Sequence, residues 1–143
     1  HALARCGRPL VPVFIADAGL DERAVALALT LGFEGVMLDT ADKRAGSLFE
    51  ALPREAIARF VALAREAGVR VGVAGALRRH HAGEIAALAP DFAGFRSAVC
   101  AGERSAALDA AALRELVGAM REAQASSRPS PISSERMRAS SAR

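Results

Sequence analysis

Four short apolar runs, each ending abruptly in polar residues or glycine, constrain this chain more than any other feature. They fall at 9–17, 34–39, 69–74 and 91–95. The first ends in Asp17 and the second in Asp39; the third runs into Gly75, and the fourth into Arg96 and Ser97. Short apolar runs bounded in this way read as buried strands of a parallel sheet, with Pro12 a local irregularity in the first. Between them the period changes to that of a helix. Asp21 is placed to cap a helix carrying Ala24, Val25, Ala28 and Leu29, and Gly32 closes it. Ser47 starts a short helical turn, and Pro53 fits the first turn of a longer helix. Within that helix Ile57, Phe60, Val61 and Ala64 step as i, i+3, i+4, i+7, and Gly68 ends it. A short helix over 81–88 stops before Pro90. Asp109 caps a last one, in which Leu113, Leu116, Val117 and Met120 repeat the pattern.

The plan is therefore four β-then-α units with short connections. Such alternation gives a parallel sheet with right-handed crossovers. Each unit takes about 30 residues, close to the spacing of a (β/α)8 TIM barrel of about 250 residues. The expected fold class is α/β, with this chain supplying roughly the last four βα units of such a barrel. Half a barrel leaves two edge strands and an inner face uncovered, both costly in water. A 52% hydrophobic composition and a mean hydropathy of +0.20 agree with that picture. An N-terminal half-barrel or a second chain would complete it, and a homo-oligomer is expected. The rival plan is a small open doubly wound sheet with helices on both faces.

Residues 1–124 are assigned to the half-barrel and 125–143 to a disordered Ser/Arg/Pro-rich tail. The formal charge of +3 lies wholly in that tail, where four arginines face one glutamate. The body is neutral and has no basic stripe with interleaved aromatics, so no nucleic-acid partner is expected. No apolar run approaches the length of a membrane span, and no membrane partner is expected. The chain begins with His1 and shows no signal-peptide pattern, so the natural N-terminus is expected elsewhere. Cys6 and Cys100 lie far apart with no metal-ligand spacing, and a reduced, cytoplasmic setting is the simplest reading.

In either plan the ligand site lies at the carboxyl ends of the strands. Lys43, just past the second strand, is the only lysine in the chain; the other 18 basic residues are arginine. It is either a chance survivor of an arginine-rich composition or present for chemistry that arginine cannot do, losing a proton or forming an imine. Asp39 could hold an amine or take a proton, or could simply cap a turn. Asp17 is a further possible site residue. Thr40 reads as structural, closing a turn, and Asp42 as solvated. Gly75 lets backbone approach a ligand closely. Arg96 offers a forked donor for a phosphate, or for an ion pair with Asp91 or Glu103; Gly102 and Arg104 follow in the same loop. Arg78, Arg79, His80 and His81 read as a solvated turn and not as metal ligands. Cys100 reads as a small buried hydrophobe. No metal and no cofactor are expected.

These residues resemble the (5-formylfuran-3-yl)methyl phosphate synthase family, of methanofuran-type cofactor biosynthesis. Leu38-Asp39-Thr40-Ala41-Asp42-Lys43 is similar to the family's Leu-Asp-Thr-Ala-x-Lys-x-Gly, and Ala74-Gly75-Ala76-Leu77 to its Ala-Gly-Ser-Leu. Pro90-Asp91 and the run Gly94-Phe95-Arg96-Ser97-Ala98-Val99-Cys100 follow in order, and Ala16-Asp17-Ala18 resembles the end of the family's fifth strand. The resemblance spans 10–120. It implies a TIM barrel that is a lyase, condensing two molecules of glyceraldehyde 3-phosphate by Schiff-base, aldolase-like chemistry with loss of phosphate and water. It implies catalytic roles for Lys43 and Asp39, in proton transfer and in stabilising intermediates. Gly75, Arg96 and Ser97 would sit at the phosphate-binding mouth. The imine-forming lysine it implies belongs to an N-terminal half, so this chain alone is expected to be inactive. Ala76 stands where the family has serine, and Ser97 where it has glycine. The loop after Lys43 is one residue longer, and that after Cys100 one shorter. The alternatives are a non-catalytic split half-barrel and a class I aldolase-like enzyme for another phosphorylated small molecule.

Overall fold

The computed structural model describes residues 8–100 and 107–127. Four strands, β1 (Val13–Ile15), β2 (Gly35–Asp39), β3 (Arg70–Val73) and β4 (Phe92–Ala93), form one sheet in the order β1-β2-β3-β4. Every pairing is parallel. The helices are α1 (Glu22–Thr30), α2 (Leu48–Ala51), α3 (Arg54–Glu66), α4 (Ala82–Leu88), α5 (Arg96–Val99) and α6 (Ala110–Ser127). Single 3-10 turns occupy Ala16–Ala18 and Arg79–His81.

The strand order has no reversal. A doubly wound sheet needs one, because helices reach its second face only when the direction of crossover switches. Here successive right-handed crossovers all deliver helices to the same face. Burial follows that geometry. Val36, Leu38, Val71 and Val73 alternate along β2 and β3, and each is fully buried. Phe14 of β1 meets Phe60 of α3 edge-on, with ring centroids 5.7 Å apart. On the opposite face Val13, Met37, Gly72 and Phe92 stand in one register row across all four strands. The Phe92 ring lies over Gly72, where a Cβ would fall 2.0 Å from it, so a side chain there would have to displace the ring. Val13 is 49% exposed, Ile15 44% and Phe92 38%. One face of the sheet is thus buried under helices and the other is left partly open, as expected of half a barrel.

The strands are shorter than the apolar runs suggested. Pro12 has no N–H to give, but its carbonyl accepts the Met37 N–H at 3.0 Å, so pairing continues one residue past the start of β1. The helices sit where their periods place them. The Asp21 carboxylate accepts the N–H groups of Arg23 and Ala24 at 2.9 and 3.2 Å, and Asp109 does the same for Ala111 and Ala112. All four residues of the α3 stripe are buried. The α6 stripe is only partly used: Leu116 is buried and Met120 packs on the core, but Leu113 and Val117 stay exposed. The reason is that α6 lies mainly against α4 and α5 and not on the sheet. α6 also runs through Ser127, three residues into the segment assigned to the tail. The rest of that segment lies outside the described residues.

Candidate active site

β2 ends at Asp39, and the chain turns at once. The Asp39 carboxylate accepts the Thr40 N–H at 2.8 Å and, through the same oxygen, a bond from the Lys43 ammonium. Lys43 also donates to the Thr40 carbonyl and, at 3.2 Å, to the Thr40 hydroxyl. One short loop thus wraps its own lysine, whose side chain is 14% exposed. Asp17 steadies the loop from the 3-10 turn that follows β1, accepting the Ala41 N–H. Asp42 is exposed, as expected, and caps the Arg44 N–H at 2.8 Å.

The β3 loop presses on this turn. Gly75 has a φ of +115°, and a Cβ on it would meet the Thr40 hydroxyl at 2.9 Å. Its carbonyl accepts the Leu48 N–H at 2.9 Å, which ties the β3 loop to α2. Asp39, Lys43, Gly75, Arg96 and Ser97 line one cavity of about 170 Å³, together with Ala76 and Gly94. The structure therefore gathers five of the six sequence-nominated residues at one mouth. Asp17, the sixth, is near by but holds backbone and does not line the cavity. Asp91, one of the carboxylates considered for Arg96, accepts the Val71 N–H at 2.7 Å at the other end of the strands. Glu103, Gly102 and Arg104 lie outside the described residues.

The run Arg78 to His81 is a turn in which Arg78, Arg79 and His80 are exposed, as expected, but His81 departs from that expectation. His81 is 8% exposed, its Nδ1 accepts the Arg78 N–H at 3.0 Å, and its ring lies 5.1 Å from that of Phe49. Burial, helped by the neighbouring His80, holds its pKa below the ordinary histidine value. The Arg78 guanidinium reaches across and donates to the Ser97 carbonyl at 2.6 Å, joining the β3 and β4 loops. A second cavity, of about 450 Å³, opens between Lys43, Phe49, Arg78 and His80, so Lys43 forms a wall of both. The Glu50 carboxylate closes back on the Ser47 N–H at 2.6 Å, and this bond above all lowers its pKa. Thr40, Arg78 and His81 were thus missed as parts of the site. The three-residue spacing from Arg78 to His81 was the available signal, since it lets a ring nitrogen cap the turn. Cys100 is half-buried and pairs its backbone with Leu108. Among the described residues no three His, Cys, Asp or Glu side chains come together as metal ligands would, and no helix is long and apolar enough to cross a membrane.

A parallel sheet fed by crossover helices, with charged groups gathered beyond the carboxyl ends of its strands, defines an α/β protein with its site in the usual place for that class. The 4-HFC-P synthase family model matches residues 3–117, and the chain belongs to that family. It is 41% identical over 92 residues to the (5-formylfuran-3-yl)methyl phosphate synthase of Archaeoglobus fulgidus, covering 64% of this chain and 37% of that one. To the Methanosarcina barkeri protein of the same name it is 32% identical over 92 residues, 64% of this chain and 39% of that one. A Methylorubrum extorquens protein given that name provisionally is 35% identical over 122 residues, covering 85% of this chain and 52% of its own length. The chain spans about half or less of the length of these relatives.

Proposed function

We propose that this chain is the carboxyl-terminal half of a (β/α)8 barrel and that the completed barrel is a (5-formylfuran-3-yl)methyl phosphate synthase of furan-cofactor biosynthesis. It acts as a carbon–oxygen lyase, joining two molecules of glyceraldehyde 3-phosphate with loss of phosphate and water. The observation that carries this reading is the single cavity walled by Asp39, Lys43, Gly75 and Arg96. An ammonium against a carboxylate can give and take protons at a carbonyl, and an arginine fork beside an open glycine backbone suits a phosphate. On the resemblance to the family, the imine-forming lysine belongs to the other half, which leaves proton transfer to Lys43, the only lysine here. That half, or a second copy of this chain, covers the row formed by Val13, Met37 and Phe92. The setting is cytoplasmic.

The test is made on the completed barrel with glyceraldehyde 3-phosphate, following the furan aldehyde product. Lys43→Met is expected to lower kcat by at least about 100-fold with the fold intact, the scale of a lost acid–base group. Arg96→Ala is expected mainly to raise KM. Near-normal turnover in Lys43→Met would overturn the assignment. Turnover of a different phosphorylated aldehyde alone would move the chain to a related aldolase-like activity, and none at all, with the barrel folded, to a non-catalytic subunit.

A further inference from the structure

The Lys43 ammonium carries three N–H donors and no acceptor. In this structure the three partners are the Asp39 carboxylate, the Thr40 carbonyl and the Thr40 hydroxyl. Every donor is therefore committed, and two of the three acceptors belong to one residue. Thr40 is 2% exposed, although it is polar and directly follows Asp39, which lines the cavity. A buried hydroxyl in that position needs a partner, and the ammonium supplies it. Gly75 bears on the same hydroxyl from the other side: a side chain there would strike the Thr40 Oγ1 at 2.9 Å and its Cγ2 at 3.0 Å. The sequence reading gave Gly75 to a ligand and Thr40 to a turn. The contacts join them around the lysine.

We propose that Thr40 is a positioning residue that holds Lys43 as a charged, proton-donating ammonium and releases one of its N–H bonds to substrate. As an ammonium the nitrogen has no lone pair and cannot attack a carbonyl. A substrate oxygen obtains an N–H by displacing the Thr40 hydroxyl, which accepts at 3.2 Å. The Thr40 carbonyl and Asp39 keep the nitrogen in place during that exchange. The proton then passes from Nζ to the substrate oxygen, and the Asp39 carboxylate, still bonded to the nitrogen, steadies the ammonium before transfer. This assignment rests on the proposed function only in placing substrate at Lys43.

Because Lys43 is the chain's only lysine, lysine-labelled NMR of the full 143-residue chain reports one side chain. The ammonium correlation is expected in the wild type and in Thr40→Ser, with slow hydrogen exchange. Thr40→Val fills the same volume without the hydroxyl. Its exchange is expected to be faster by about tenfold, the effect of losing a hydrogen bond to a charged group. Acylation of Lys43 by acetic anhydride, read by peptide mass spectrometry, is expected to rise in Thr40→Val and to return to the wild-type rate in Thr40→Ser. Wild-type exchange and acylation in Thr40→Val would overturn the proposal, as would a Thr40→Ser variant that behaves like valine. Neither readout needs turnover. If Lys43→Met kept its activity while Thr40→Val still freed the ammonium, the proposed function would fall and this arrangement would stand.

Discussion

His81 shows how one side chain can be misjudged from its neighbours. It stands in a run of four basic residues, Arg78 to His81, and such runs usually face water. Phe49 and the turn ending at His81 instead bury its ring. Burial first, and the His80 charge next, favour the neutral form in the folded state, while Glu84 and Glu50 oppose them more weakly. A histidine whose folded pKa is depressed binds fewer protons folded than unfolded as pH falls, so stability is lost on the acid side of the ordinary histidine range and is unaffected above it. Urea midpoints are expected to fall from about pH 7 to about pH 5, where histidine charges, and His81→Gln is expected to flatten that slope. An equal slope in the variant would place the titration elsewhere. Asp39 and Lys43 were legible, by contrast, because a carboxylate closing an apolar run and a solitary amine are visible without packing. That Thr40 binds the amine was not legible, because it depends on how the β3 loop lies on the turn.

At the scale of elements, caps and periods gave the helices and the burial of their stripes gave α3. Asp21 can be tested directly. Its carboxylate satisfies two free amide groups at the start of α1, a contribution of about 1 kcal/mol that Asp21→Ala should remove, read as a lower urea midpoint with an unchanged slope. α5 was not legible: it is a single turn over Arg96–Val99 with no side-chain cap. It follows β4 directly and is fixed by Arg78 reaching the Ser97 carbonyl, a contact between residues 19 apart in sequence. The strands were overestimated for a related reason. Pairing length depends on the neighbouring strand, and β4 pairs through only two residues with β3.

For the whole molecule, the apolar excess of the sequence has a location. Part of it lies on the sheet face that the helices do not cover, where Val13, Ile15 and Phe92 are all more than a third exposed, and part on helices, at Leu27, Leu63 and Val117. Val13, Ile15 and Phe92 belong to β1 and β4, the two edges of the sheet. The chain is expected to self-associate or to bind a complementary half-barrel in sedimentation velocity, and the pair Val13→Lys with Phe92→Lys to abolish it while far-UV circular dichroism is preserved. A monodisperse monomer over the micromolar range in the unaltered chain would count against a buried role for this face. Parallel order and the single mouth were legible from four apolar runs with polar ends; which face would be covered was not, since the runs are apolar at positions of both parities.

The unbroken order of the strands has a kinetic corollary. Each strand docks beside its immediate successor, so structure can accumulate along the chain through short loops, each ring of contacts small in entropy cost. Only the seam joining β1 and β4 to whatever lies beyond them asks distant segments to meet. Shutting that seam would then be the slow, concentration-sensitive event in making a working protein, with the lysine turn already formed before it.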